Sequence, residues 1–274
     1  MTALLPIPTA QLDLGFARRG GRTVLERRLF SWPFVITRTF HLDPVPAEML
    51  TVILQTSSGA IHGDDHLQQR VTLAPHTAVH LTSQGATSVH RAHPGKVTRD
   101  RVMLSVGSGA FLEYLPEPRI LFPGAAMDQV IDIDCAPDAT AIIGDGFGIH
   151  VPNGAGAGFR SLQNCLTLRF SGGDPVLVDR SDISELPRDS TAFGSLLLVT
   201  RQDPDLLEPL AASITQALQS VTGLYGAASL LPGQAGIGVR LAGATVQNLR
   251  LGFELAWISF RHHLYATAPA SRRK

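Results

Sequence analysis

Residues Leu50–Gln84 read LTVILQTSSGAIHGDDHLQQRVTLAPHTAVHLTSQ, and this stretch decides the fold class. It contains runs rich in Val, Ile, Leu and Thr at Leu50–Ser57, His66–Leu73 and Ala78–Gln84. Short segments containing Gly, Asp or Pro separate these runs. Short runs in which apolar and polar residues alternate are typical of half-buried β-strands. The stretch therefore predicts a sheet protein made of short strands with tight connections.

The same pattern extends outward through most of the chain. Further strands are predicted at Phe34–Leu42, Val97–Val106, Gln129–Asp134 and Ser161–Phe170. The strands follow one another through tight connections, which argues against helical βαβ units. We therefore expect a mainly β fold of antiparallel sheets, stacked or rolled into an elongated body.

Helical patterns occur only in the last part of the chain. Asp203-Pro204 is typical of an N-cap followed by a proline at the first helical position, and apolar residues then recur at helical spacing until Gly223. A second helix is predicted over Thr245–Tyr265, where apolar and aromatic residues form one stripe. We interpret this stripe as core packing rather than a cofactor site, and expect two C-terminal α-helices.

Length and composition bound the class of protein. A chain of 274 residues can bury a large core, and no linker divides it, so we expect one domain over residues 1–274. Its β-rich part should be 1–201 and its helix-containing part 202–274. Lys plus Arg equals Asp plus Glu at 23 each, so the basic excess of a nucleic-acid binder is absent. Without a signal-peptide pattern or a long apolar run, we expect a cytoplasmic chain that does not enter a membrane.

The segment His62-Gly63-Asp64-Asp65-His66 is the densest set of candidate metal ligands. If it is extended, His62, Asp64 and His66 share one face, with Asp65 on the other. Imidazole nitrogen and carboxylate oxygen both suit Ni²⁺ and Zn²⁺. The functional hypothesis is therefore a transient metal contact. The alternative is a polar turn in which an aspartate accepts hydrogen bonds from backbone amides and the histidines are solvated.

Hydroxyl and amide side chains are concentrated in Leu81–Arg91, which includes Thr82, Ser83 and Gln84. Such groups could line a water-filled passage or cap strand ends. The chain has no GxSxG motif, and Ser83 has no identifiable base and acid, so a serine hydrolase is disfavoured. The sequence predicts no catalytic residue here.

Three further features have structural interpretations. The glycine-rich segments Gly144–Gly148 and Gly154–Gly158 match no phosphate-binding motif, and we interpret them as flexible loops. The prolines of Leu112–Phe122 predict an edge or crossing segment, with its charged residues in a surface ion pair or a partner contact. The two cysteines, Cys135 and Cys165, fit no disulfide framework and are expected to be small buried residues.

Four stretches, in this order, resemble the urease accessory protein family UreD, also called UreH. They are SGAIHGDDHL at Ser58–Leu67, LTSQGATSVHR at Leu81–Arg91, LEYLPEPRILFPGA at Leu112–Ala125, and LYGAASLLPGQAGIGVRLAGAT at Leu224–Thr245. The region Leu14–Pro33 is similar to the opening strand pair of that family, so the resemblance covers nearly the whole chain.

The resemblance implies a non-enzymatic scaffold that is required for nickel insertion into apo-urease. Its implied partners are UreF, the GTPase UreG and the urease apoprotein, with a homodimer within the accessory complex also allowed. Nickel would pass transiently, without a tightly bound cofactor, through an internal water-filled path. By position, the candidates for that path are Thr82, Ser83, Gln84 and Asp145.

Two other classes of function stay open at this point. One is a metal-dependent hydrolase that uses His62, Asp64 and His66, which would need a further converging ligand and an activated water. The other is a β-rich interaction protein with no metal role.

Overall fold

The computed structural model describes residues 10–151, 158–185 and 189–271. It is mainly β, as predicted, with two long helices in the last third of the chain. The strands are β1 Leu12–Arg19, β2 Arg22–Phe30, β3 Phe34–Val35, β4 Thr39–Phe40, β5 Leu50–Thr56, β6 Ala60–Ile61, β7 His66–Leu73, β8 Ala78–Ser83, β9 Thr87–Val89, β10 Thr98–Val106, β11 Phe111–Leu115, β12 Arg119–Leu121, β13 Ala126–Cys135, β14 Thr140–Ile149, β15 Ser161–Phe170, β16 Leu177–Ile183, β17 Ala192–Val199, β18 Leu224–Leu230 and β19 Gly236–Gly243. The helices are α1 Pro204–Gln219 and α2 Val246–Tyr265.

The strands form two sheets. Sheet 1 has seven strands in the order β16-β15-β13-β10-β7-β1-β2. Sheet 2 has twelve strands. Eight of them follow the order β18-β19-β17-β14-β11-β8-β5-β3, and the short strands β4, β6, β9 and β12 pair beside this series. From β7 to β15 the longer strands alternate between the two sheets, so each coil of the chain contributes one strand to each sheet. The result is a stack of solenoid-like coils.

The prediction of antiparallel sheets is wrong for the centre of this stack. Strands β7, β10, β13 and β15 pair in parallel in sheet 1, as do β5, β8, β11 and β14 in sheet 2. A tight turn carries the chain to the opposite sheet, so the next strand of the same sheet arrives one coil later in the same direction. Antiparallel pairs occur at the margins, for example β1 with β2 and β15 with β16.

Both predicted helices form. Helix α1 begins after Asp203, whose Oδ1 accepts a hydrogen bond from the amide of Asp205, and α2 begins after Thr245, whose hydroxyl accepts one from the amide of Asn248. Leu249 of α2 is fully buried against sheet 2 in a core shared with α1, so that part of the stripe is core packing as expected. None of the helices in the described part of the chain is long and apolar enough to span a membrane.

The interpretation of Gly144–Gly148 as a flexible loop is wrong. These residues lie in β14, in the middle of sheet 2. A Cβ atom on Gly146 would lie 2.8 Å from Cε2 of Phe253, and one on Gly148 would lie 2.3 Å from Cγ2 of Val246. Glycine is therefore needed here because it lets α2 approach the sheet closely. Most of the second glycine segment, 154–157, lies outside the described residues.

The prediction of an edge or crossing segment at Leu112–Phe122 is also wrong. β11 is a central strand between β8 and β14, and β12 pairs with β14 and β9. Pro116 and Pro118 lie in the link between β11 and β12, where no sheet hydrogen bond from their nitrogens is required. Glu113 and Arg119 are buried, and only Glu117 forms the expected surface ion pair, with Arg250 at 2.8 Å.

Candidate functional site: a buried polar row

A polar row crosses the apolar interior between the sheets. Asp100 of β10 pairs in register with Gln129 of β13, and Gln129 pairs with Asn164 of β15. On these three strands the next inward-facing residues are the apolar Val102, Ile131 and Leu166, while the residue of β7 in register with Val102 is the buried Gln69. On the other side of the polar row the neighbouring residues include Met127 and Leu162, which belong to a separate apolar cluster. The polar row therefore divides two apolar cores.

The row is connected by hydrogen bonds to the facing sheet. Gln129 Nε2 donates to Asp145 Oδ1 at 2.9 Å and to Asn164 Oδ1 at 3.1 Å, while Asn164 Nδ2 donates to Asp145 Oδ2 at 2.6 Å. Asp145 lies on β14 of sheet 2 and is buried. Gln129 is fully buried, and its Oε1 accepts no hydrogen bond from any described residue. A buried carbonyl oxygen of this kind is normally satisfied by water or an ion.

Arg119 lies between the two carboxylates of this site. Its Nη2 donates to Asp100 Oδ2, and its Nη1 is 3.6 Å from Asp145 Oδ1. Gln69 of β7 donates through Nε2 to Asp100 Oδ1 at 2.8 Å. All four side chains are buried. One guanidinium thus partly offsets two buried carboxylates, and the site remains rich in oxygen acceptors.

Burial shifts the pKa of the acidic groups around Arg119. It raises the pKa of Asp145, although Arg119 and the amides of Gln129 and Asn164 act in the opposite direction. Burial also raises the pKa of Tyr114, so its hydroxyl stays neutral. The pKa of Arg119 itself is raised, because the nearby acidic groups outweigh the opposing effect of burial. The guanidinium is therefore a permanent positive charge in the site.

A cavity of about 260 Å³ connects this site with the surface. Its lining includes the exposed Gln84 and Gly85 as well as the buried Gln69, Asp100 and Arg119. The volume of the cavity is large enough for several water molecules. It gives water or a small ion access to the Asp100 end of the polar row.

Two of the four predicted path residues line this cavity, and a third lies in the buried polar site beside it. Ser83 and Gln84 line the cavity, and Asp145 belongs to the buried polar site. Thr82 differs, because its hydroxyl donates to the carbonyl of Leu115 at 2.6 Å and it lines a second cavity beside α2. The structure thus places Ser83, Gln84 and Asp145 near Arg119. The sequence had not indicated that Arg119 is a neighbour of these residues.

The segment His62–His66 forms a polar turn. The amide of His62 donates to Asp65 Oδ2 at 2.9 Å, and the amide of Asp65 donates to the carbonyl of His62 at 3.2 Å. Asp64 adopts a φ of 75°. The extended arrangement with His62, Asp64 and His66 on one face does not occur, because Asp64 takes a left-handed turn conformation instead.

Other histidines surround this turn. His62 stacks on His90 with ring centroids 5.3 Å apart, His93 Nδ1 lies 2.8 Å from Asp64 Oδ2, and His66 Nε2 lies 3.1 Å from Arg99. Within the described residues, no group of three or more His, Cys, Asp or Glu side chains is arranged to hold a metal ion. The converging ligands that a metal-dependent hydrolase would require are therefore not present in that part of the chain.

A second buried charged cluster joins α2 to sheet 2. Arg261, with no exposed surface, contacts Glu113 and Asp43 through its two terminal nitrogens, each at 3.2 Å. Glu113 also accepts a hydrogen bond from Trp257 Nε1 at 2.7 Å and lies 2.7 Å from His80 Nδ1. Sequence reasoning missed this cluster. The available signal was spacing, since Arg261 follows Trp257 by one helical step and so shares its buried face.

Fold and site together define the class of protein: a parallel two-sheet scaffold with a polar row inside it. Comparison with known proteins then identifies the family. The family model for the UreD urease accessory protein matches residues 8–274. The chain therefore belongs to the UreD urease accessory protein family.

Individual relatives agree with this assignment. The chain is 48% identical over 260 residues to "Urease accessory protein UreD 2" of Bradyrhizobium sp. (strain BTAi1), covering 93% of this chain and 90% of the relative. It is 49% identical over 248 residues to the protein of the same name from Bradyrhizobium sp. (strain ORS 278), covering 89% and 86%. It is 34% identical over 273 residues to "Urease accessory protein UreD 1" of Methylorubrum populi, covering 96% and 91%. Membership of this family supports a role in urease maturation.

Proposed function

We propose that this chain is a non-catalytic scaffold required for nickel insertion into apo-urease, acting in the cytoplasm in a complex with UreF and the GTPase UreG. Family membership supports the role in urease maturation. The observation that carries the nickel part of the proposal is the buried polar row, because it offers oxygen ligands in the interior of a protein that is otherwise apolar there.

The polar row runs in a direction that suits an interior path for nickel. In sheet 1 the strands stack along the coil axis, and the polar side chains of β10, β13 and β15 follow that axis in register. Gln69 of β7, which pairs in register with Val102, extends the polar contacts by one more strand through its hydrogen bond to Asp100. Three strand spacings amount to about 14 Å. Polar groups spread over this length, reached from outside by the cavity at Ser83 and Gln84, can contact an ion at successive positions.

The chemistry of the ligands suits transfer of nickel as cargo. Carboxylate oxygen, amide oxygen and water are exchangeable ligands, whereas a closed set of thiolate or imidazole ligands would hold the ion firmly. No bond of a substrate changes in this process, which is why we propose no catalytic residue. Nickel would enter and leave through weak steps, with no tightly bound cofactor.

Co-purification tests the complex. We expect UreF, and UreG with it, to co-purify with this chain carrying a tag that does not bind nickel, when all three are co-expressed. We also expect urease apoprotein to be captured by that complex. Failure of UreF to associate at low, intermediate and high salt would contradict the proposal. Light scattering on the purified complex tests whether it contains a homodimer of this chain.

The surface turn at His62–His66 is a second place for a transient nickel contact, by His62, Asp64, Asp65 and His66. The favouring observation is the density of imidazole and carboxylate groups at this turn, where His90 stacks on His62 and His93 contacts Asp64. Replacing His62 and His66 by Ala should then slow urease activation at limiting nickel but not at saturating nickel. Unchanged activation at limiting nickel would remove the turn from the proposal, and would leave the interior row as its only metal contact.

A further inference from the structure

We infer that Arg119 is a removable counter-ion that closes a divalent-cation site formed by Asp100, Asp145 and the side-chain carbonyl of Gln129. In the structure its guanidinium occupies the position between the two carboxylates that a bound cation would take. The inference rests on the proposed function only for the identity of the natural cation, nickel. The competition between Arg119 and a cation is a property of the site itself.

The charges of the site favour such an exchange. Two buried carboxylates need positive charge beside them, because an uncompensated buried charge is strongly unfavourable. Arg119 supplies one positive charge, and a divalent cation would supply two. Since both positive groups need the same oxygens and repel each other, they cannot occupy the site together. The cation enters only when the guanidinium leaves.

The unpartnered oxygen of Gln129 is the independent sign of a ligand. Gln129 is fully buried, and its amide nitrogen contacts Asp145, so its amide group belongs to the site. Its Oε1 nevertheless accepts no hydrogen bond from the described residues. Arg119 does not satisfy this oxygen. A cation or its bound water, held by Asp100 and Asp145, would have a third oxygen ligand available here.

Space for the displaced side chain is present. Arg119 lines the cavity that reaches exposed Gln84 and Gly85, so open space for the displaced guanidinium adjoins the site. Outside the site it would be hydrated instead of ion-paired, and the free energy gained from cation binding would offset the loss of the pair. The site would then hold nickel only weakly, because Arg119 competes for the ligands throughout.

Thermal unfolding of the isolated, tag-free chain tests the inference. Arg119→Met should lower Tm without added cation, since it leaves both carboxylates without their counter-ion. Ni²⁺ at a hundredfold excess over its dissociation constant should then raise Tm by about 5–10 °C. Wild type and Arg119→Lys, which keep the positive charge and all surface histidines, should show at most a small rise. Mg²⁺ is measured in parallel to determine whether the site accepts any divalent cation.

The double variant Arg119→Met/Asp100→Asn provides the specificity control, and should lose the cation-dependent rise. An equal Ni²⁺ response in wild type and Arg119→Met would overturn the inference. The inference would also be overturned if Arg119→Met and the milder Arg119→Gln both remained unfolded at every cation concentration. A cation that replaces the guanidinium must restore the fold in at least one of them. These results do not depend on UreF or urease, so failure here leaves co-purification of the complex as a separate test of the proposed function.

Discussion

Arg261 has a full positive charge at a position with no exposed surface, between Asp43 and Glu113. Arg261→Ala would leave two buried carboxylates without their cation, at a contact that joins α2 to sheet 2. Removing one partner of a buried ion pair typically costs about 3–5 kcal/mol. We expect the free energy of unfolding in urea, followed by circular dichroism, to fall by about that amount.

A matched control for Arg261 is Arg240→Ala. Arg240 pairs with Asp179 at 2.5 Å, but its side chain is 63% exposed. Exposed pairs contribute about 0–1 kcal/mol, so this variant should unfold almost as the wild type does. If the free energy of unfolding fell equally in the two variants, burial of the Arg261 cluster would not determine how much the cluster contributes to stability.

Cys135 offers a test of burial through its pKa. Burial in the core between the sheets, together with the nearby Asp134, raises the pKa of its thiol from about 9 to about 12. At pH 8 only about one thiol in ten thousand is then ionised, so a thiol reagent should react far more slowly with the folded than with the urea-unfolded chain. The measurement uses a Cys165→Ser variant, in which Cys135 is the only thiol.

The same shift has a consequence for stability at high pH. Between about pH 9 and 12 the folded chain retains the Cys135 proton that the unfolded chain loses. The unfolded state then binds fewer protons, so the free energy of unfolding falls as pH rises through this range. In the labelling measurement, a thiol reagent that reacted with Cys135 as fast in buffer as in urea would contradict the buried position of this residue.

Individual polar residues of the interior were recognisable only in part. Asp100 falls in the same alternation as Val102, Leu104 and Val106, so its inward position can be predicted from the sequence. Its partners cannot, because they depend on which strands become neighbours. For His62–His66 the sequence shows which side chains could bind a metal, but it does not show their arrangement. The left-handed conformation of Asp64 places these side chains in a turn.

At the scale of elements, helix α2 packs closely against sheet 2, at glycines of β14 and β17. A Cβ atom on Gly194 of β17 would lie 2.4 Å from the carbonyl oxygen of Asp145 and 2.7 Å from Phe253 Cζ. Gly194→Ala should therefore push α2 and β14 away and lower the free energy of unfolding by about 1–3 kcal/mol, as overpacking does. Denaturant unfolding measures this loss.

Gly85→Ala is the control, because nothing lies within 4 Å of a Cβ atom at Gly85. A change within about 0.5 kcal/mol is expected for this exposed position. If Gly194→Ala were equally neutral, the close approach of α2 to the sheet would not be a constraint on the fold.

Strands and helices could be predicted from alternation and capping residues, but the pairing of strands could not. A tight turn between two strands is compatible with a hairpin in one sheet and with a passage from one sheet to the other. The Phe34–Leu42 strand was also only partly correct, since it forms two short strands, β3 and β4, that pair with β5 at separate places. Pairing depends on contacts distant in sequence, which local patterns do not contain.

For the molecule as a whole, the polar row that separates two apolar cores between the sheets links the fold to the proposed function. The cores hold the sheets together, and the row provides oxygen ligands where apolar side chains would pack more favourably. At the level of sequence, the hydroxyl and amide groups of Leu81–Arg91 allowed a water-filled passage. The resemblance to the UreD family implied an interior path, with Thr82, Ser83, Gln84 and Asp145 as its candidate residues. The cavity and Arg119 became apparent only when the coils were stacked.

The central claim, that nickel passes along the interior row, is tested most directly by the nickel content of urease matured with Gln129→Leu in place of the wild-type chain. Gln163→Leu, the same change at an exposed position of β15, is the control. Both variants must first be shown to bind UreF. The claim predicts urease with much less nickel per active site for Gln129→Leu and full nickel for Gln163→Leu. Full nickel content with both variants would contradict it.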